Sequence, residues 1–267
     1  MLWLDRYERR ARLAPGLLAL LPVAVTITAL GLRNAPVVSA VVSLLSLAGG
    51  PVLLADTVRS FGAKAQLKLW ETWGGSPTTI ALRLREPTQN ALQRDTWRSA
   101  VEKVADVKLA TRRSEQSSPA KADEAIEVGV GRLRELTRGS DPRFLLVQAE
   151  NRGYGFQRNL YGMRHVGRVL ALAGALVVGA FMAWRGAAGM HPVVLTADVL
   201  GLIANVLILL GWCVLPSANR VRAVADKYAY QVLQAAVSLA SDTSATVAAT
   251  PAVATDSGPG AGSAGAT

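Results

Sequence analysis

Four stretches without one charged side chain constrain this 267-residue chain more than any other feature. Leu13–Leu32 runs for 20 residues, Asn34–Ala55 for 22, Val169–Trp184 for 16 and Val199–Asn219 for 21. About twenty apolar residues at a rise of 1.5 Å cross a hydrocarbon core of roughly 30 Å, so each run reads as a transmembrane helix. The third run needs its flanking residues to complete the crossing. Arg33 alone separates the first two runs, and the short loop around "RGAAGMHP" separates the last two, which predicts two transmembrane hairpins. A hydrophobic share of 51% and a mean hydropathy of +0.27 agree with a membrane protein. The first run is longer than a signal-peptide core and a second span follows at once, so it reads as a retained helix.

Basic residues near the span ends set the expected orientation. Arg6, Arg9, Arg10 and Arg12 precede the first span, Arg59, Lys64, Lys68, Arg158, Arg164 and Arg168 border the middle segment, and Arg220, Arg222 and Lys227 follow the fourth span. The hairpin tips carry only Arg33 and Arg185. The segments are therefore read as a cytoplasmic leader over 1–12, a first hairpin over 13–55, a cytoplasmic insert over 56–165, a second hairpin over 166–216, a cytoplasmic amphipathic helix over 217–240 and a disordered tail over 241–267. In this reading the chain is a multi-pass protein of the bacterial inner (plasma) membrane, with both termini cytoplasmic. The net charge of +10 serves topology first and anionic partners second, and no nucleic acid is expected among those partners. Cys213 is the only cysteine and lies within the fourth span, so neither a disulfide framework nor a cysteine metal site is expected.

The insert is expected to be mostly α with a small α+β element. Val58, Phe61, Ala65 and Leu69 continue the second span at helical spacing until "WGGSP" stops it. In "TTIALRLR" the period changes to two, with Thr78, Ile80, Leu82 and Leu84 opposite Arg83 and Arg85; "DVKLATR" supplies a partner strand beyond a helix over Gln89–Ala105. "RRSEQSSPAKADE" reads as a polar loop ending in a helix start at Ser118 and Pro119. The helix that follows has Ala122, Ile126, Val130 and Leu133 on one face and stops at Gly139, and Asp141–Pro142 repeats the start signal. "RFLLVQAEN" then reads as a helix, with a third strand as the alternative.

From 149 to 168, Tyr154, Arg158, Tyr161, His165 and Arg168 form one helical stripe and Phe156, Leu160, Met163 and Gly167 the opposite one. Aromatic rings beside guanidinium groups suit a phosphate-bearing, nucleotide-like ligand, which makes Arg83, Arg85, Arg152, Tyr154, Arg158 and Tyr161 the candidate binding residues. A cytoplasmic membrane boundary calls for the same residue types, and that is the simpler reading. Within the spans, "GGP" at Gly49–Pro51 should bend the second helix. The small residues Ala171, Ala175, Gly179 and Ala183 recur every four positions and invite close helix packing, within one chain or between copies in a homo-oligomer. Asp198 and Asn205 are the polar pair of the membrane region; a proton or ion path is one reading, and an acid at a helix start is the other. The insert has no Walker loop, GxSxG or HExxH and no cysteine, so no enzymatic activity, cofactor or metal is expected.

"LWETWGGSPTTIALRLR" and "ENRGYGFQRNLYGM" resemble segments of a family of uncharacterised bacterial four-helix inner-membrane proteins with the same two-hairpin layout. More loosely, the layout is similar to four-transmembrane effectors of antiphage nucleotide-signalling systems, which implies a sensing insert and a membrane-disrupting bundle. The expected function is therefore a ligand-gated membrane effector. The alternatives are a scaffold that recruits a cytosolic partner and, third, a channel or transporter.

Overall fold

The computed structural model describes residues 9–87, 90–139, 141–188 and 196–249. All regular structure among them is helical. A π-helical turn, Arg9–Leu13, leads into α1 (Ala14–Ala29). There follow α2 (Pro36–Leu47), α3 (Gly50–Trp73), α4 (Pro77–Leu82), α5 (Ala91–Ala105), α6 (Arg112–Ser117), α7 (Pro119–Leu136), α8 (Leu145–Ala187), α9 (Thr196–Val214) and α10 (Ala218–Ala249). Three of these helical stretches are long and apolar enough to cross a membrane, Ala11–Ala29, Pro142–Ala187 and Ala197–Val214. A fourth crossing exists if α2 and α3 act as one span bent by 73°.

The bend falls at the expected place. Gly49 adopts a left-handed φ of 80°, and Pro51 cannot donate a helical hydrogen bond to the turn behind it. Its consequence is larger than a kink, because α2 buries none of its residues. The expected hairpin partner of α1 is thus not α2. Instead α1 packs along α8 and α9, so the apolar bundle has α8 at its centre and α2 outside it.

Among the described residues the small α+β element is absent. Ser76 accepts a hydrogen bond from the Thr79 amide at 3.2 Å and Pro77 occupies the first turn, so a helix-start signal overrides the alternating pattern of "TTIALRLR". Thr78, Thr79 and Leu82 are all buried from α4 rather than from one face of a strand. Residues 83–86 and 107–111 are irregular and form no ladder. Arg98 bridges them, donating to the carbonyls of Leu82 and Ala110, and Glu102 accepts from the Leu109 amide at 2.8 Å. The polar loop expected at 112–118 holds the short helix α6, started by Thr111. α7 begins at Pro119 as expected and buries Ala122, Ile126, Val130 and Leu133, although it ends at Leu136, three residues before Gly139. "RFLLVQAEN" is helical and runs on without interruption, so α8 is one rod of 43 residues through both halves of the molecule.

The main core gathers Leu82, Val101, Ile126, Leu133 and Phe144 around Val232, Leu233 and Ala236 of α10. The C-terminal helix therefore completes the core of the insert. It also extends beyond residue 240, where a disordered tail was expected, as far as Ala249; residues 250–267 lie outside the described part. Lys103 donates to the Ala240 carbonyl and Arg143 pairs with Asp242 at 2.7 Å, tying this end to the insert.

Candidate ligand site: a basic and aromatic cleft

Six residues were expected to meet a ligand, and the fold separates them. Arg83 and Arg85 lie in a closed network of charges. Arg83 is buried and holds Asp123 through Nε and Nη2 (3.0 and 2.8 Å), and its Nη1 reaches Glu86 at 3.2 Å. Arg85 donates to Asp123 (2.8 Å) and to Glu115 (3.1 Å). Glu115 is fully buried and also accepts from the amides of Leu84 (2.9 Å) and Arg85 (3.2 Å). Burial pushes the Asp123 carboxyl up, but the hydrogen bonds and charges of Arg83 and Arg85 outweigh it and hold the group below the usual carboxylate range. The Arg85 guanidinium is correspondingly raised, chiefly by its hydrogen bond to Asp123. These guanidinium groups are engaged with carboxylates, and the region is a structural clamp on the segment that follows α4.

Arg152, Tyr154 and Arg158 do come together, in a cleft of about 750 Å³ between α3, the end of α7, α8 and α10. That volume is typical of small-molecule sites. Arg134 near the end of α7 and Arg138, two residues beyond it, complete a set of four arginines, and among the described residues no lining residue is an aspartate or glutamate. Among the described residues the side chains of Arg138 and Arg152 make neither an ion pair nor a hydrogen bond, whereas Arg158 donates to Gln66 Oε1 at 2.7 Å. The floor is aromatic. Tyr154 stacks on Tyr228 with ring centroids 6.0 Å apart, and the Arg158 guanidinium lies 5.9 Å from the Tyr154 ring centre. Three buried polar atoms on this floor have no protein partner: Trp70 Nε1, Arg134 Nε and the Tyr154 hydroxyl. They also border a crevice of about 20 Å³ under the cleft.

The remaining members of the 149–168 stripe diverge. Tyr161 is half-buried under the Arg164 guanidinium, 3.8 Å from its ring centre, His165 is exposed, and Arg168 Nε donates to the Trp212 carbonyl at 3.1 Å. The two predicted stripes also miss the residue between them. Asn159 is fully buried, donates to the Ala11 carbonyl at 2.6 Å and accepts from Arg158 Nε and Nη2, each at 3.3 Å.

In the apolar bundle Asp198 is 4% exposed and paired with Arg185 at 3.2 Å. Asn205 is fully buried, and its Nδ2 donates to Thr26 Oγ1 (3.2 Å) and the Gly201 carbonyl (3.0 Å). Asp198 and Asn205 therefore have separate partners. Of the small-residue ladder, Ala171 is buried, Ala175 and Gly179 are half-buried and Ala183 is exposed. The buried seam of α8 runs instead through Gly167, Ala171, Gly174 and Val178.

Trp70, Arg134, Arg138, Tyr228 and Asn159 were missed from the sequence. Arg134 and Arg138 at i and i+4 were the one legible signal, since in a helix running to Gly139 two like charges would share a face and repel unless an anion or solvent separated them; α7 in fact ends before Arg138. Compared with protein-family models, curated proteins and solved structures, the chain matches none. Among the described residues no group of three or more His, Cys, Asp or Glu is placed to hold a metal ion.

Proposed function

We propose that this is a multi-pass membrane protein whose extramembrane half binds a phosphate-bearing small molecule and whose helical bundle responds to it. The observation that carries the proposal is a cleft with four arginines, an aromatic floor and no lining carboxylate. Free guanidinium groups at Arg138 and Arg152 suit phosphate oxygens through paired N–H donors. The unpartnered Trp70 and Tyr154 groups suit a second, polar part of the ligand. A role as a membrane-disrupting effector of the bacterial inner membrane, in antiphage defence and as a homo-oligomer, is the form of this proposal that the two-hairpin resemblance favours.

The test is calorimetric titration of the detergent-purified full chain with inorganic pyrophosphate and with ADP. Saturable binding that weakens at least tenfold in Arg138→Glu and Arg152→Glu supports the site. Equal heats in the wild type and both variants refute it. A scaffold role is the second reading, and it draws on Leu136, Leu145 and Leu146, which stand 40%, 56% and 55% exposed well before the uncharged run Val169–Trp184. If these leucines dock a protein partner, their replacement by serine abolishes its co-purification and leaves pyrophosphate binding intact.

A further inference from the structure

We infer that occupancy of the cleft is coupled to the seating of α1 through Arg158 and Asn159, an inference that rests on the cleft being an anion site. Arg158 belongs to both places. It lines the cleft, holds Gln66 through Nη1, and gives Nε and Nη2 to the side-chain oxygen of Asn159. Asn159 in turn is the side chain that fastens the Ala11 carbonyl, in the π-helical turn Arg9–Leu13 from which α1 begins. Single π-helical turns are uncommon and are concentrated at functional positions.

The chemistry makes the two contacts competitive. A phosphate oxygen accepts a charge-assisted hydrogen bond about twice as strong as one to a neutral amide oxygen, so an anion in the cleft draws the guanidinium away from Gln66 and Asn159. The Asn159 oxygen is then buried without a donor. It has no room for a replacement, since a Cβ built on Gly62 would collide with that oxygen, and one on Gly162 would lie 2.7 Å from the Phe61 carbonyl. Rotation of the Asn159 amide toward the guanidinium relieves the oxygen but withdraws Nδ2 from Ala11. The turn before α1 loosens, and a signal in the cleft reaches a helix that packs against α8 and α9.

Hydrogen exchange of the full chain in lipid nanodiscs tests this, with saturating pyrophosphate as the probe and binding confirmed by titration of the same sample. The amides of residues 11–14 are expected to exchange at least fivefold faster with pyrophosphate bound. Arg158→Leu and Asn159→Ala are expected to show the fast exchange without pyrophosphate, and Arg152→Glu to show neither binding nor acceleration. Pyrophosphate binding with unchanged exchange at 11–14 overturns the coupling and leaves the cleft as a site. Slow exchange in both Arg158→Leu and Asn159→Ala overturns it independently of any ligand. If pyrophosphate does not bind, the coupling falls together with the anion site.

Discussion

Glu115→Ala should be among the most damaging single substitutions in the segment between α3 and α8, although Glu115 is not among the residues that line the cleft. Its carboxylate is fully buried and accepts three hydrogen bonds, from the amides of Leu84 and Arg85 and from Arg85 Nη1. Removal leaves two backbone donors in a site closed to water, at about 1–3 kcal/mol each. Breaking a buried ion pair from one side costs about 3–5 kcal/mol, but Arg85 keeps Asp123 at 2.8 Å. The net loss is therefore placed near 3–4 kcal/mol, a large share of the roughly 5–15 kcal/mol of a typical domain. Glu115→Gln retains one carbonyl oxygen for the backbone and should lose about 1–2 kcal/mol. Urea unfolding in mild detergent, followed by tryptophan fluorescence, measures the global effect. Exchange at the Leu84 and Arg85 amides should quicken about a hundredfold in Glu115→Ala, since 1.4 kcal/mol is a factor of ten. Losses below about 0.5 kcal/mol in both variants, with unchanged exchange at 84 and 85, would refute the clamp.

Other expectations are shorter to state. A Cβ at Gly162 would lie 2.7 Å from the Phe61 carbonyl, so Gly162→Ala should force α3 from α8 and lower stability by about 1–3 kcal/mol, whereas Gly153→Ala, with nothing near its Cβ, should be neutral or raise thermal stability slightly. Because Asp123 binds its proton more weakly when folded than unfolded, its contribution is complete above about pH 4, the unfolded carboxyl range, and is lost as pH falls through the lower folded value; acid unfolding should show a component below pH 4 that Asp123→Asn removes. In the membrane region a double-mutant cycle on Arg185 and Asp198, which are 3.2 Å apart, should give a coupling of about 0.5–2 kcal/mol in detergent stability, and additivity within error would mean that the pair contributes nothing.

The apolar runs, the break at Gly49–Pro51 and the starts at Ser118–Pro119 and Asp141–Pro142 were legible because each is a local event. Length, a left-handed glycine or a fixed proline φ decides the outcome within a few residues. "TTIALRLR" misled for a local reason too: two signals overlap, and the Ser76–Pro77 cap won over alternation. What alternation lacked was a partner, since "DVKLATR" is joined to it by Arg98 rather than by a ladder. The clamp was beyond reach because Glu115 and the amides it holds are 30 and 31 residues apart, with nothing local to mark the carboxylate as buried. For the cleft, the aromatic–arginine pattern of 152–158 was readable, but its other walls come from α3, α7 and α10, which only the fold brings beside it. Grouping Arg83 and Arg85 with the cleft failed because a basic residue in sequence carries no record of the acid that will neutralise it.

The glycines of α8 explain how one unbroken rod serves both halves. Gly162 admits the backbone of α3, Gly167 the Trp212 ring of α9, and Gly174 the Asn205 and Thr26 side chains from α9 and α1. Gly167 and Gly174 lie on one face of the helix and Gly162 on another, so three partners approach α8 closely where leucines would hold them apart. Such contacts are intolerant of small displacements, because packed backbones and ring faces have no flexible side chain to absorb them. A change at Arg158, one turn before Gly162, is thus not damped within the rod. It must be taken up by those partners, and the π-helical turn at Arg9–Leu13, with its non-standard hydrogen bonding, is the segment beside Asn159 best able to yield.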